Sequence, residues 1–298
     1  MGESSDGGYE TVDSTVIEDE IMLESIIKMP QLFPWCNAKN AMMPSLLQHL
    51  PKQFYAYHEP FFGTGALFWQ IHPQVSYLSD GNSELMCLFK SIKDNVSEFL
   101  DELDDLQDSE DVYYKLCAES PVRMNGPNAQ IRRAARFLSI ARNCYPGTYR
   151  EDAMGCVNSP FLKSKNKQRF HSTDVINMHN VLNTVEVKLT HCSFEMVLET
   201  VLPGDFIYLD PPHCPLDTPL IESVSHDGFT GRDQLLLKKV MENLDDKGAY
   251  IMYTNNDTPE VRELFDDWTY HSIEVPKSSY HDDQLVTYTG RELIVKNY

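Results

Sequence analysis

Asp210-Pro211-Pro212-His213 puts a carboxylate, two ring-constrained residues and a planar side chain in consecutive positions. The prolines fix φ and restrict the residue before each of them, so the Asp210 carboxylate and the neighbouring carbonyls form a stiff set of acceptors. Such a set suits an exocyclic amine, whose hydrogens need acceptors while its nitrogen attacks an electrophile. A planar side chain in the fourth place can lie against the ring that carries the amine. An Asp-Pro-Pro run also ends many strands as a plain turn, so the tetrapeptide has to be read with its surroundings.

Those surroundings are strand-like. Pro203-Gly204 is a turn signal, and Phe206 to Leu209 is an apolar run of the length of a buried strand. Tyr57 to Phe68 reads as a strand, a glycine turn and the start of a helix. Gly63 and Gly65 let backbone approach a ligand that a Cβ would obstruct, although this is not the six-position dinucleotide fingerprint. Val75 to Asp80 is another short strand that closes on an acid. Asp80 can grip ribose hydroxyls from the end of a second strand, or it can cap the helix that starts near Ser83.

In this order, the segments resemble the Dam-like (D12) class of adenine-N6 DNA methyltransferases, from about Pro30 to Tyr298. Leu32 to Lys39 is similar to the opening Trp-x-Gly-Gly-Lys motif, and Glu59-Pro60-Phe61-Phe62-Gly63-Thr64-Gly65-Ala66 to the cofactor loop. Leu78 to Leu85 is similar to the next motif, whose acid holds the ribose in the family. Ala141 to Arg150 is similar to the Asn-Arg-x-x-Tyr-Asn-Gly-x-x-Arg segment of the DNA-reading region, followed by Val157-Asn158-Ser159-Pro160-Phe161. Asp210-Pro211-Pro212-His213 stands where the family has Asp-Pro-Pro-Tyr. Phe229-Thr230 and Thr254-Asn255-Asn256-Asp257 fall at two further motifs.

The resemblance implies S-adenosyl-L-methionine as cofactor, contacted by Trp35, Lys39, Glu59, Phe61, Gly63, Gly65, Asp80 and Phe194. It implies catalysis by Asp210, Pro211, Pro212 and His213, with His213 stacking on a flipped adenine and the Pro211 carbonyl as a second acceptor. Arg142, Tyr145 and Arg150 would meet double-stranded DNA, within a basic face that Arg132, Arg136, Lys163 and Lys165 extend. The implied fold is α/β, a doubly wound mixed sheet of the S-adenosylmethionine-dependent methyltransferase type with an inserted helical DNA-recognition domain. Residues 29–93 and 184–298 would form the catalytic domain, 94–183 the insert, and 1–28 an acidic flexible tail. Four positions depart from the family pattern: Asn37-Ala38 replaces paired glycines, His213 a tyrosine and Ser193 an acid. Ser278 to Asp283 replaces a basic, glycine-rich stretch.

Composition adds a constraint. The 298 residues, 42% hydrophobic, are enough to bury a sizeable core, and the formal charge is −20. Nucleic-acid binding rests on a basic footprint, here confined to 132–169 on an otherwise acidic body. The same charge suits a protein partner or a second copy of the chain. The 7 cysteines are odd in number and form no Cys-x-x-Cys pair. They point to neither a metal site nor a disulfide framework, and so to a reducing intracellular compartment, cytoplasm or nucleus. The N-terminal stretch reads as neither signal peptide nor membrane span. Three functions follow: an adenine-N6 DNA methyltransferase with base flipping, a catalytically silent descendant acting as scaffold or partner subunit, and a methyltransferase of RNA or protein.

Overall fold

Short apolar strands alternate with amphipathic helices through most of the chain, which is the pattern of a parallel sheet covered on both faces. The structure is a computed structural model and describes residues 32–33, 35, 39–106, 108–145, 149–163, 171–213, 228–281 and 284–298. Its seven strands are β1 (Tyr57–Glu59), β2 (Val75–Asp80), β3 (Glu186–His191), β4 (Phe206–Leu209), β5 (Tyr250–Asn256), β6 (Thr269–His281) and β7 (Gln284–Lys296). They form one sheet in the order β3-β2-β1-β4-β5-β7-β6. β1 to β5 run parallel, and β7 is antiparallel to both of its neighbours. The strand order turns at β1 and β4, so a crevice opens above their carboxyl ends. All four residues of β4 are buried. It is a central strand, which explains its unbroken apolar run.

The helices are α1 (Met43–Gln48), α2 (Phe68–Ile71), α3 (Ser83–Asp94), α4 (Val96–Asp104), α5 (Glu110–Ala118), α6 (Ala129–Asn143), α7 (Ser172–Thr184), α8 (Val197–Thr200), α9 (Gly231–Asp246) and α10 (Pro259–Leu264). The sequence pattern predicts helices over 41–49, 83–90, 96–106, 131–142 and 231–243, which are α1, α3, α4, α6 and α9 with shifted ends, and it does not predict α5, α7 and α10. β6 and β7 also outrun the strands that the sequence predicts over 270–275 and 291–295. Their outer parts pair only with each other, because β5 meets β7 only between Glu292 and Lys296.

The expected insert does not stand apart from the sheet. Phe99 and Leu103 of α4 and Phe137 and Leu138 of α6 share one buried cluster with Leu85 and Phe89 of α3 and with Tyr57, Leu78 and Phe206 of the sheet. A smaller cluster of Tyr113, Leu116, Cys117, Ile140, Cys144 and Val157 belongs to the helical region itself. The helices therefore extend the sheet's own core. The expected tail, residues 1–28, lies outside the described residues, as do Asn37, Ala38 and Lys165.

Candidate active site

Four strand ends converge on one crevice: Glu59 closes β1, Asp80 closes β2, Asp210 follows β4, and Thr254 to Asn256 close β5. After β1 the chain turns sharply. The Phe62 N–H donates to the Ser79 carbonyl and the Gly65 N–H to the Phe62 carbonyl. Gly63 and Gly65 adopt positive φ, and a Cβ on Gly65 would sit 2.5 Å from the Phe62 ring. Asp80 stiffens the turn. Its Oδ2 accepts the Gly63 N–H at 2.9 Å, and its Oδ1 accepts the Asn82 N–H at 2.8 Å. The cap of α3 is Asn82, which accepts from Glu84 and Leu85; Asp80 is not the cap.

Together these ends enclose a cavity of about 980 Å3, at the upper end of ordinary ligand pockets. All eight expected cofactor residues line it: Trp35, Lys39, Glu59, Phe61, Gly63, Gly65, Asp80 and Phe194. So do Asp210, Pro211 and Pro212. Phe61 and Phe194 stack at 5.3 Å with 26° between planes, and Phe229 meets Phe61 edge-on. Glu59 is buried at the end of β1 and its Oε2 accepts from the Tyr57 hydroxyl at 2.8 Å. Burial pushes its carboxyl well above the usual range, and Asp210 and Asp80 push it further, against the Tyr57 bond.

Asp210 behaves oppositely. Burial works against its charge, but the Lys39 ammonium outweighs burial and holds the carboxyl below the usual range. Lys39 Nζ lies 3.0 Å from Asp210 Oδ1 and 2.7 Å from Glu292 Oε2. The Thr254 hydroxyl donates to Asp210 Oδ1 at 2.9 Å, and the Tyr208 hydroxyl lies 3.2 Å from Thr254 Oγ1. Since Thr254 donates its only hydrogen to Asp210, Tyr208 must donate to Thr254. Gln234 Nε2 donates to the Pro212 carbonyl at 3.1 Å. The Pro212 oxygen is occupied.

His213 does not take the expected place. Its side chain is 6% exposed and it is not among the residues that line the cavity. Nε2 is 2.8 Å from Lys39 Nζ and Nδ1 is 3.2 Å from Asn256 Oδ1. The ring is held inside a polar cluster instead of facing the space beside Asp210. Lys39 also differs from the expectation of a cofactor contact. It lines the cavity, but its ammonium is directed at Asp210, Glu292 and His213.

The expected DNA residues spread over several environments. Arg136 is 1% exposed; it donates to the Leu116 and Gly155 carbonyls. It braces the helical region from inside and is removed from the expected DNA face. Arg132 is exposed and donates to the Asn125 carbonyl. Arg142 is half-buried, and burial lowers its pKa. Tyr145 is half-buried, and Lys163 is exposed in an ion pair with Glu110. Among the described residues of the group, only Arg150 lines the cavity; it is exposed and its Nε donates to Asn158 Oδ1 at 2.7 Å.

Sequence reading assigned no role to Tyr208, Gln234, Thr254 and Glu292. Glu292 had a visible signal, an acid set directly before the buried run Leu293 to Val295. Thr254 stood in one of the motifs without a role, while Tyr208 on β4 and Gln234 on α9 follow from the packing of helix on sheet and could not be found from spacing.

The family model described as D12 class N6 adenine-specific DNA methyltransferase matches residues 35–280. The type II methyltransferase M1.LlaDCHI of Lactococcus lactis subsp. cremoris is 29% identical over 283 residues, which cover 93% of this chain and 99% of that protein. The type II methyltransferase M.MjaIII of Methanocaldococcus jannaschii is 30% identical over 241 residues, covering 74% and 82%. The DNA adenine methylase of Escherichia coli (strain K12) is 26% identical over 250 residues, covering 82% and 87%.

Proposed function

Because this chain belongs to the D12 class of N6 adenine-specific DNA methyltransferases, we propose that it methylates the N6 amine of adenine in double-stranded DNA, with S-adenosyl-L-methionine as the donor. One observation carries this reading: a single cavity joins the glycine turn, Asp80 and the Phe61–Phe194 pair to the Asp210 carboxylate.

The residues fit the donor. Paired flat rings suit an adenine face, Asp80 at the end of β2 suits ribose hydroxyls, and the positive-φ turn brings backbone to the cavity. When bound, the donor supplies an electrophilic methyl carbon on a sulfonium. Trp35, Glu59, Phe61, Gly63, Gly65, Asp80 and Phe194 are assigned to hold it.

Adenine has to leave the duplex to reach Asp210, since its amine is paired inside the helix. All contacts of the Asp210 carboxylate with described residues run through Oδ1, to Lys39, Thr254 and His213. Oδ2 is therefore assigned to an amine hydrogen, with the Pro211 carbonyl as the second acceptor. Ionised throughout the neutral range, Asp210 is an acceptor first. The N6–methyl bond would form as the methyl–sulfonium bond breaks, with the neutral thioether as leaving group, and the cationic methylated amine would then give its proton to the weakly basic Asp210 carboxylate. Alignment and fixed acceptors supply the rate. Arg150 at the cavity, with Arg132, Arg142, Tyr145, Lys163 and Lys165, is assigned to DNA.

Titration calorimetry with S-adenosyl-L-methionine tests the reading. Asp210→Ala should bind the donor within about threefold of the parent and lose methyl transfer by about 10²-fold or more. A parent protein that gives no heat at millimolar donor, or a variant that keeps its rate, contradicts it.

A further inference from the structure

We propose that His213 is a positioning residue that acts through Lys39: its neutral ring accepts a hydrogen bond from the ammonium and thereby seats it on Asp210. The inference rests on the methyltransferase reading and assigns position 213 a task other than stacking on the target base.

An ammonium has three hydrogens and no acceptor. Lys39 Nζ has three acceptors within bonding distance: Glu292 Oε2 at 2.7 Å, His213 Nε2 at 2.8 Å and Asp210 Oδ1 at 3.0 Å. No hydrogen is left for another partner. Lys39 is 4% exposed, so losing one acceptor would leave a buried N–H unpaired and shift the charge away from Asp210.

The tautomer follows from the same geometry. Lys39 can only donate, so Nε2 is the acceptor and Nδ1 carries the hydrogen. Nδ1–H then donates to Asn256 Oδ1, which also accepts from Lys277 Nζ at 2.7 Å. Lys277 bonds Glu292 Oε1 at 3.1 Å. The charged groups around the ring are Lys39, Asp210, Glu292 at 4.0 Å and, through Asn256, Lys277. Burial and then Lys39 lower the imidazole pKa, against Asp210 and Glu292, in accord with a neutral ring. Pro211 and Pro212 line the cavity and the His213 ring does not.

Two substitutions separate the roles. His213→Gln puts an amide oxygen where Nε2 accepts and removes the aromatic ring. His213→Phe keeps a flat ring and removes the acceptor. The proposal expects kcat of the Gln variant within about fivefold of the parent and that of the Phe variant lower by about 20-fold or more. KM for DNA and the fluorescence of 2-aminopurine at the target base should stay at the parent's values in both. The reverse order, equal losses or no loss in either variant overturns it. Should the Phe variant not fold, the parent's own imidazole decides. Long-range ¹⁵N–¹H spectra of histidine-labelled protein at about pH 7.5 must show residue 213 as the neutral Nδ1–H tautomer. An Nε2–H tautomer or an imidazolium overturns the proposal. A parent protein without any transferase activity counts against the methyltransferase reading and leaves the spectroscopic criterion in force.

Discussion

Glu59 and Asp210 are two carboxylates on one cavity wall whose surroundings drive their charges apart. Among the described residues Glu59 has only a hydroxyl partner, so burial decides; Asp210 has an ammonium, so its charge survives burial. The folded Glu59 pKa is raised above the ordinary 4.5, so the folded chain keeps a proton that the unfolded chain releases above that pH. Stability is therefore lost as pH rises from 4.5 toward the raised value. Glu59→Gln removes that loss. Its melting temperature should exceed the parent's by a few degrees at pH 8 and converge with it near pH 5. A gap that widens toward acid contradicts the assignment. Thr254 offers a second test, because its hydroxyl fixes Asp210 Oδ1. Thr254→Val should lower kcat by about tenfold and Thr254→Ser should restore most of it. Equal rates for the two variants would show that the bond does not orient the carboxylate.

At the level of elements, the β1–α2 turn and the start of α3 set the cofactor side of the cavity. Gly65→Ala meets Phe62 at 2.5 Å and Trp69 at 2.9 Å from a backbone at φ +71. It should destabilise the fold by about 2–4 kcal/mol and weaken donor binding, both readable by denaturation and calorimetry. Wild-type stability in this variant would mean that the turn rearranges freely. These elements were legible in the sequence because they are local: a glycine pair, an acid ending a strand, and Asp-Pro-Pro after an apolar run. The Lys39 cluster was not legible. Lys39 and Glu292 are 253 positions apart, and no periodicity links a residue before α1 to one on β7. Arg136 was misread for a related reason. It looks like part of a basic helix face, yet Ala134 to Ala141 of α6 are all buried, so the helix has little free face there. Conversely, Pro212 was expected at the site, and its carbonyl is tied down by Gln234 from α9, a contact that only the register of helix on sheet reveals.

Across the whole molecule, a chain of charge −20 has to bring an anionic duplex to a cavity rich in carboxylates. Affinity must come from a small basic area, and Arg150 is the expected DNA residue that lines the cavity itself. The logarithm of DNA affinity should fall linearly with the logarithm of salt, and Arg150→Ala should lower that slope by about 1. An unchanged slope places the phosphate contact elsewhere. The central claim is that the Asp210 carboxylate directs a methyl group to an extruded adenine. Its most direct test is mass spectrometry of nucleosides released from duplex DNA of mixed sequence after incubation with protein and isotope-labelled donor. The account predicts labelled N6-methyladenine with the parent chain and none with Asp210→Ala. Label found only on RNA or protein, or the same N6-methyladenine with both chains, would contradict it.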